Sequence, residues 1–215
     1  MPKPKVLQLI NSFHQGGSER QAVQLTRLLC KDGTFEVVLA CLNDEGVLRH
    51  EVEALGFKEI AEFKLSSFFN AQFLRQVKKC ALFIREKNIQ IVHTHDFYTN
   101  ILGMMAATMA GVKVRIASKR ETGGMRTKAQ KVVEKLAFGR SNAIVVNAEA
   151  VKKYLLGGGI NPNKINVIYN GLDLARLNPK ITNRKQICKD LGLPNDEKAK
   201  FITLVANLRH EVKNQ

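Results

Sequence analysis

Short apolar runs alternate with amphipathic segments along most of the chain, which is the pattern of strands followed by helices. Residues 5–10 predict a strand, and residues 18–31 predict a helix because apolar side chains recur there at helical spacing. Ser18 and Gln21 have the spacing of a capping box at the start of this helix. Residues 35–42 are largely apolar, as expected of a parallel strand that is buried on both faces.

The same alternation continues to about residue 168. Further helices are predicted at residues 47–55, 71–87, 99–110, 128–138 and 148–156, and further strands at 58–61, 90–94, 113–118, 142–147 and 164–168. Repeated strand–helix alternation indicates parallel strands joined by right-handed crossovers. We therefore expect an α/β fold with a doubly wound parallel sheet of the Rossmann-like type.

The pattern changes near the end of the chain. Residues 182–191 predict a helix, residues 193–197 are polar, and residues 200–206 predict a new strand that is followed by nine residues. We expect a first domain at residues 1–192, a linker at 193–199 and the beginning of a second domain at 200–215. In this interpretation the chain is a fragment of a two-domain protein.

Charge is the feature of the composition that departs most from average. The chain has 34 Lys and Arg against 19 Asp and Glu, a net charge of +15, which favours anionic partners. Hydrophobic and charged shares of 45% and 25% are ordinary for a globular chain and exclude general disorder. The four cysteines form no CxxC pair, which favours reduced thiols, and no apolar run has the length of a membrane span.

Basic residues are most crowded in residues 113–140. Together with Phe68 and Phe69 as apolar contacts, they would suit an anionic membrane surface, and the alternative is a solvated charged face. Nucleic acid is disfavoured, because the chain has no Trp and its basic residues are not interleaved with stacking aromatics.

Candidate chemistry lies where strands end, since ligands of open parallel sheets bind beyond the carboxyl ends of the strands. The loop NSFHQGGSER follows the first strand. Gly16 and Gly17 would let a ligand approach the backbone, and the following helix N-terminus suits phosphate. The loop is neither GxGxxG nor GxxxxGK, which excludes the usual dinucleotide and P-loop motifs, and an ordinary βα loop is the alternative.

The segment IVHTHD supplies two histidines that point the same way on one strand. His95, nearer the strand end, could donate a hydrogen bond to a sugar hydroxyl or take up a proton, whereas His93 is expected to be structural. An HxH pair with Asp96 is an incomplete metal site. After the next strand, Lys119 and Arg120 could hold an anionic group or could be solvated loop charges.

Four segments, GGSER, IVHTHD, INVIYNGLD and LVANLRHEVKN, resemble in their order the group 1 retaining glycosyltransferases of the GT-B fold. The resemblance implies two Rossmann-like domains, the first for the acceptor and the second for a nucleotide-sugar. It places Gly16 and Gly17 near the phosphates and sugar of the donor, and His95 against the transferred sugar. Arg209 and Lys213 would bind the donor diphosphate, without a metal or other cofactor.

The resulting hypothesis is the acceptor-side half of a retaining, nucleotide-sugar-dependent glycosyltransferase. It would transfer a hexosyl group to a glycan or lipid-phosphate acceptor in cell-envelope polysaccharide synthesis, in the cytoplasm or on the inner face of the membrane. Acceptor contacts are assigned to His14, Arg20, Asp96, Lys119 and Arg120. The isolated chain is expected to be inactive. The rival hypothesis is a non-catalytic basic Rossmann-like module that binds an anionic glycan or a membrane surface.

Overall fold

The computed structural model describes residues 2–65, 70–123, 126–172, 174, 183–194, 196 and 198–202. The strands are β1 (Lys5–Ile10), β2 (Glu36–Cys41), β3 (Ala61–Glu62), β4 (Ile91–Thr94), β5 (Val114–Lys119), β6 (Ala143–Val146) and β7 (Ile165–Val167). The helices are α1 (Gly17–Asp32), α2 (Arg49–Glu53), α3 (Ala71–Glu86), α4 (Phe97–Ala110), α5 (Lys128–Arg140), α6 (Glu149–Gly157) and α7 (Arg184–Asp190).

The strands form one parallel sheet in the order β3-β2-β1-β4-β5-β6-β7, which confirms the predicted doubly wound α/β fold. The strand order reverses between β1 and β4, where Leu9 pairs with Thr94. In doubly wound sheets this reversal point is where a crevice for ligands opens.

The two faces of the sheet pack against different helices because side chains alternate along each strand. Leu7 and Leu9 of β1 belong to a large apolar core shared with α3, α4, α5 and α6. Ile10 of β1 and Leu39 of β2 belong to a smaller core shared with α1 and α2. We call these the α4 face and the α1 face of the sheet.

Helix α4 lies unusually close to the sheet at Gly103. A Cβ at this position would overlap Cγ2 of Thr94 and would lie 2.9 Å from Cδ2 of Leu9. Because a core this dense tolerates no added methyl group without a shift, Gly103 sets the distance between α4 and the strands β1 and β4.

The predicted capping box at the start of α1 is wrong. The N-cap is Gly16, and no side chain caps the helix, so Ser18 and Gln21 lie inside it. A capping box is instead present at α4, where the Asp96 side chain accepts a hydrogen bond from the Thr99 N–H. The spacing of two residues in the sequence does not show whether they form a capping box. At α1 they do not, because the β1–α1 loop sets where the helix begins.

The chain divides into two compact units, Met1–Asn170 and Gly171–Gln215. Helix α7 of the second unit lies within the predicted helix at 182–191. Residues 200–202 are not in a strand, and the rest of the predicted strand, 203–206, lies outside the described residues. The division into residues 1–192, 193–199 and 200–215 stays a prediction. None of the described helices is long and apolar enough to cross a membrane.

Candidate functional site

The β1–α1 loop and the end of β4 meet at one edge of the sheet, which we call the carboxyl edge because every strand ends there. β1 and β4 are hydrogen-bonded neighbours, so His95 follows the strand beside the one that leads into the loop. Burial raises the pKa of Asp96 to about 6, and the nearby charge of Glu19 adds to this rise. Glu19 belongs to the first turn of α1, so this helix begins close enough to Asp96 for the Glu19 charge to act on its carboxyl group.

Gly16 and Gly17 differ in what surrounds them. A Cβ at Gly16 would overlap the Glu19 carboxylate, whereas a Cβ at Gly17 would meet no atom of the described residues within 4 Å. Gly17 is the first residue of a 16-residue helix, whose first N–H groups have no partner within the helix. An anionic group could therefore approach the backbone at Gly17 and interact with the positive end of the helix dipole.

The two histidines lie side by side on the α1 face of the sheet. Their ring centroids are 4.4 Å apart, and His93 Nε2 lies 2.9 Å from the Ser118 Oγ. His95 Nε2 lies 2.7 Å from Oε1 of Gln8, and its buried Nδ1 has no hydrogen-bond partner among the residues that the structure describes. Among the described residues, no group of three or more His, Cys, Asp or Glu is placed to hold a metal ion.

Both imidazoles are held neutral. Burial lowers the pKa of His93 to about 4, with the positive charge of Arg120 adding to the effect. Burial also lowers the pKa of His95 well below its usual value, and His93 and Arg120 add to this shift. Each ring therefore carries one proton near neutral pH, and the remaining nitrogen is a hydrogen-bond acceptor.

Lys119 and Arg120 have different surroundings although they are neighbours in sequence. Lys119 Nζ lies 2.8 Å from Glu134 Oε1 of α5, with both side chains almost fully buried, and it also faces the ring of Tyr154 at 5.5 Å. In this ion pair the Glu134 carboxylate neutralises the charge of Lys119. The geometry favours a structural role for Lys119 over the predicted acceptor contact.

Arg120 lies on the side of the histidines. Its charge lowers the pKa values of both imidazoles, and its Nη1 donates to Asn170 Oδ1 at 2.7 Å. Its buried Nε has no partner in the part of the chain that the structure describes. Burial lowers the pKa of the Arg120 guanidinium itself. An unpaired donor on a cation beside a neutral cluster is a suitable contact for an anionic ligand group.

The remaining predicted residues have mixed placements. His14 is exposed in the β1–α1 loop, and Arg20 is ion-paired with Glu51 of α2. Asp96 serves as the N-cap of α4. Arg209, Lys213, Phe68 and Phe69 lie outside the described residues.

Two buried polar residues, Gln8 of β1 and Asn100 of α4, carry no motif in the sequence. Gln8 is the partner of His95 across 87 positions of sequence. Asn100 accepts a hydrogen bond from the Thr94 Oγ1 at 2.5 Å and donates one to the Ser118 carbonyl at 2.9 Å, which ties β4 to β5. The available signal for Gln8 is that it interrupts the apolar run of β1, since a buried polar side chain needs a partner.

Comparisons with known proteins agree on one family. The family model described as Glycosyltransferase Family 4 matches residues 15–176. CapH of Staphylococcus aureus, a capsular polysaccharide biosynthesis glycosyltransferase, is 25% identical over 185 residues, which cover 81% of this chain and 49% of CapH. EpsF of Bacillus subtilis strain 168 is 25% identical over 219 residues, which cover 98% of this chain and 55% of EpsF.

A solved structure shares the fold. HepE of Anabaena, crystallised in complex with UDP-glucose, matches with a TM-score of 0.72 at 16% identity, over 87% of this chain and 50% of HepE. The chain thus spans about half the length of the proteins it matches. Because the family model covers more than half of its residues and the sheet is that of the GT-B glycosyltransferases, the chain belongs to Glycosyltransferase Family 4.

Proposed function

We propose that this chain is the acceptor-side half of a retaining glycosyltransferase that transfers a hexosyl group from a nucleotide-sugar to a glycan or lipid-phosphate acceptor. The observation that carries the proposal is the buried Nδ1 of His95, which has no hydrogen-bond partner within the described ranges of the chain. UDP and UDP-glucose in the HepE structures support a nucleotide-sugar donor, and the name of CapH supports a role in cell-envelope polysaccharide synthesis.

The proposed roles follow from the chemistry of each group. The backbone at Gly17 and the positive end of α1 face the donor phosphates, and His95 accepts a hydrogen bond from a hydroxyl of the transferred sugar. Arg120 contacts an anionic acceptor group. Arg209 and Lys213 stabilise the charge that develops on the departing diphosphate, so that no metal is required.

The test compares two histidine substitutions in the natural polypeptide that contains these residues. Incorporation of radiolabelled hexose from UDP-glucose and related nucleotide-sugars is measured in the lipid and polysaccharide fractions of membranes from the source cell. His95→Ala is expected to lower transfer by about 10- to 100-fold, the loss of one strong hydrogen bond in the transition state. His50→Ala, at an exposed position of α2, is the control and is expected to retain wild-type transfer.

Equal transfer by the two variants, with unchanged circular dichroism, would reject the role of His95. Two further arms test the rest of the proposal. Addition of EDTA is expected to leave transfer unchanged, because cationic side chains replace the metal. The isolated 215-residue chain is expected to give no measurable transfer, and efficient transfer by it would contradict the assignment of the donor site to a second domain.

We also propose that α5 attaches the protein to an anionic membrane. The exposed residues of this helix are cationic, apolar or small, and its acidic residue Glu134 is buried in the ion pair with Lys119. A groove of about 500 Å³ separates α5 from α6 and is lined by Val132 and Tyr154 as well as by three lysines, Lys131, Lys135 and Lys153. Lysines around an apolar groove complement a surface of acidic headgroups and acyl chains.

Vesicle co-sedimentation tests this attachment. Binding to phosphatidylglycerol vesicles is expected to exceed binding to phosphatidylcholine vesicles, and Lys131→Glu/Lys135→Glu is expected to abolish the difference. The control is Lys78→Glu/Lys87→Glu, which makes the same change of charge at exposed positions on and next to α3. Equal loss of binding in both double variants would indicate a general effect of net charge and would reject α5 as the attachment site.

A further inference from the structure

We propose that Gln8 is a positioning residue for His95, fixing the imidazole as the Nε2–H tautomer and so presenting Nδ1 as an acceptor to a sugar hydroxyl. This inference rests on the proposed function, because it concerns the site in which His95 meets the transferred sugar. It goes further by stating which atom of the ring faces the ligand and which kind of ligand group that atom can bind.

The hydrogen bond between the two side chains defines the tautomer. Gln8 Oε1 lies 2.7 Å from His95 Nε2, and both residues are 1% exposed. A carbonyl oxygen only accepts hydrogen bonds, so with the Gln8 amide in this orientation Nε2 carries the proton. Nδ1 then has a lone pair, and it has no partner among the described residues.

A second proton on the ring is disfavoured by its surroundings. The groups that face it are His93 at a centroid distance of 4.4 Å and the cation Arg120, and both lower the pKa of His95 in addition to the effect of burial. With a single proton that is already donated to Gln8, Nδ1 cannot become a donor. His95 therefore accepts a hydrogen bond from its ligand, which differs from the donor role predicted from sequence.

Because Nδ1 of His95 is an acceptor, it favours some ligand groups over others. A sugar hydroxyl can donate to Nδ1, whereas a phosphate or carboxylate oxygen would bring one acceptor against another. A deoxy-sugar that lacks the hydroxyl would leave Nδ1 buried and unpaired, which is the costly case for a polar group. The ring thus discriminates a hydroxylated sugar from both an anionic group and a deoxygenated sugar.

The backbone on both sides keeps this geometry fixed. Gln8 pairs in register with His93, between the fully buried Leu7 and Leu9. The His95 backbone N–H donates to Thr99 Oγ1 at 3.1 Å, within the capped first turn of α4. Neither partner can move without disturbing the centre of the sheet, which is what positioning requires.

The experiment reads the tautomer directly by ¹⁵N NMR of the histidine-labelled 215-residue chain, with His95 assigned by its absence from His95→Gln. We expect Nε2 to be protonated and Nδ1 unprotonated between about pH 5.5 and 8. Gln8→Met, which keeps the side-chain length but removes the acceptor, is expected to give a mixture of tautomers. Gln8→Glu is expected to keep the Nε2–H form and to raise the His95 pKa through its carboxylate.

A proton on Nδ1 of the wild type, or an unchanged tautomer in Gln8→Met, would overturn the proposal. Gln76→Met on α3 is the control and is expected to leave His95 unaffected. If circular dichroism shows that Gln8→Met is unfolded, the pKa rise in Gln8→Glu decides, and no rise overturns the proposal. A fixed Nε2–H tautomer together with full transfer by His95→Ala would reject the proposed function and leave the role of Gln8 intact.

Discussion

Polar side chains at the carboxyl edge have different surroundings on the two faces of the sheet. On the α4 face, Lys119 is paired with Glu134, and Thr94 is hydrogen-bonded to Asn100. On the α1 face, the neighbouring His95 and Arg120 each retain a buried nitrogen that has no partner in the described segments of the chain. Residues adjacent in sequence therefore have different fates, because successive side chains of a strand point to opposite faces.

The difference distinguishes groups that stabilise the fold from groups that are proposed to contact a ligand. For a buried charge or hydroxyl with a partner, the interaction within the protein offsets the cost of desolvation. A buried polar group without a partner remains unsatisfied until something binds to it. The comparison can be tested by removing groups from each face and asking whether stability or activity responds.

The largest expected effect is on the α4 face. Lys119→Met leaves the Glu134 carboxylate buried without its cation and is expected to lower the free energy of unfolding by about 3–5 kcal/mol. Urea denaturation monitored by circular dichroism measures this loss. The double variant Lys119→Met/Glu134→Leu is expected to recover most of it, because no buried charge is then left unpaired.

Arg120→Met is the matched control on the α1 face and is expected to cost no more than about 1 kcal/mol, since the guanidinium is partly exposed and donates to one amide. If Lys119→Met and Arg120→Met cost the same, the contrast between the two faces fails.

The second effect is a pH dependence from the α1 face. Because the pKa of His93 is about 4 in the folded chain and about 6.5 when unfolded, the unfolded state binds an extra proton between these values, so stability falls as the pH drops below about 6.5. His93 alone is expected to remove about 2 kcal/mol between pH 7 and 5. Asp96, with its raised pKa of about 6, opposes this trend over the same range.

His93→Gln is expected to flatten the dependence by that amount when urea midpoints are compared at about pH 5 and 7. The control is His50→Gln on α2, an exposed residue, which should follow the wild-type curve. A His93→Gln curve parallel to the wild type would show that this imidazole is not buried in its neutral form.

The smallest effect on stability is expected at Gly17, where a methyl group meets nothing within 4 Å. Gly17→Ala should change the free energy of unfolding by less than about 1 kcal/mol and lower sugar transfer about tenfold, because the methyl group occupies the space in which the donor approaches. Gly139→Ala in α5 also meets open space and should leave transfer unchanged. Equal transfer by both alanine variants would exclude a close approach of the ligand at Gly17.

Strand and helix order was predictable because it depends on local pattern. The predicted strand at 90–94 corresponds to Ile91–Thr94, and the predicted helix at 128–138 to Lys128–Arg140. The start of α1 was not predictable, since Gly16 ends the loop without any side-chain cap and Ser18 offers a plausible but unused one.

The motifs of the candidate site were predictable from the sequence, but the ion-pair and hydrogen-bond partners of its residues were not. The spacing of HTH places His93 and His95 on one face, as observed in their adjacent rings. The pairing of Lys119 with Glu134 depends on how α5 returns to the sheet, and the pairing of His95 with Gln8 depends on strand order. Contacts between residues distant in sequence leave no local pattern, so a lysine in a buried ion pair and an arginine beside the histidines look alike in the sequence.

The reversal of strand order between β1 and β4 has a consequence for how relatives can diverge. Two strands lie beyond β1 on one side and three lie beyond β4 on the other. The histidine pair is therefore distant from both edge strands of the sheet. Insertions and substitutions near β3 or β7 can accumulate in a lineage without displacing the imidazole. The arrangement of the two histidines can therefore be inherited intact while the edges of the sheet change.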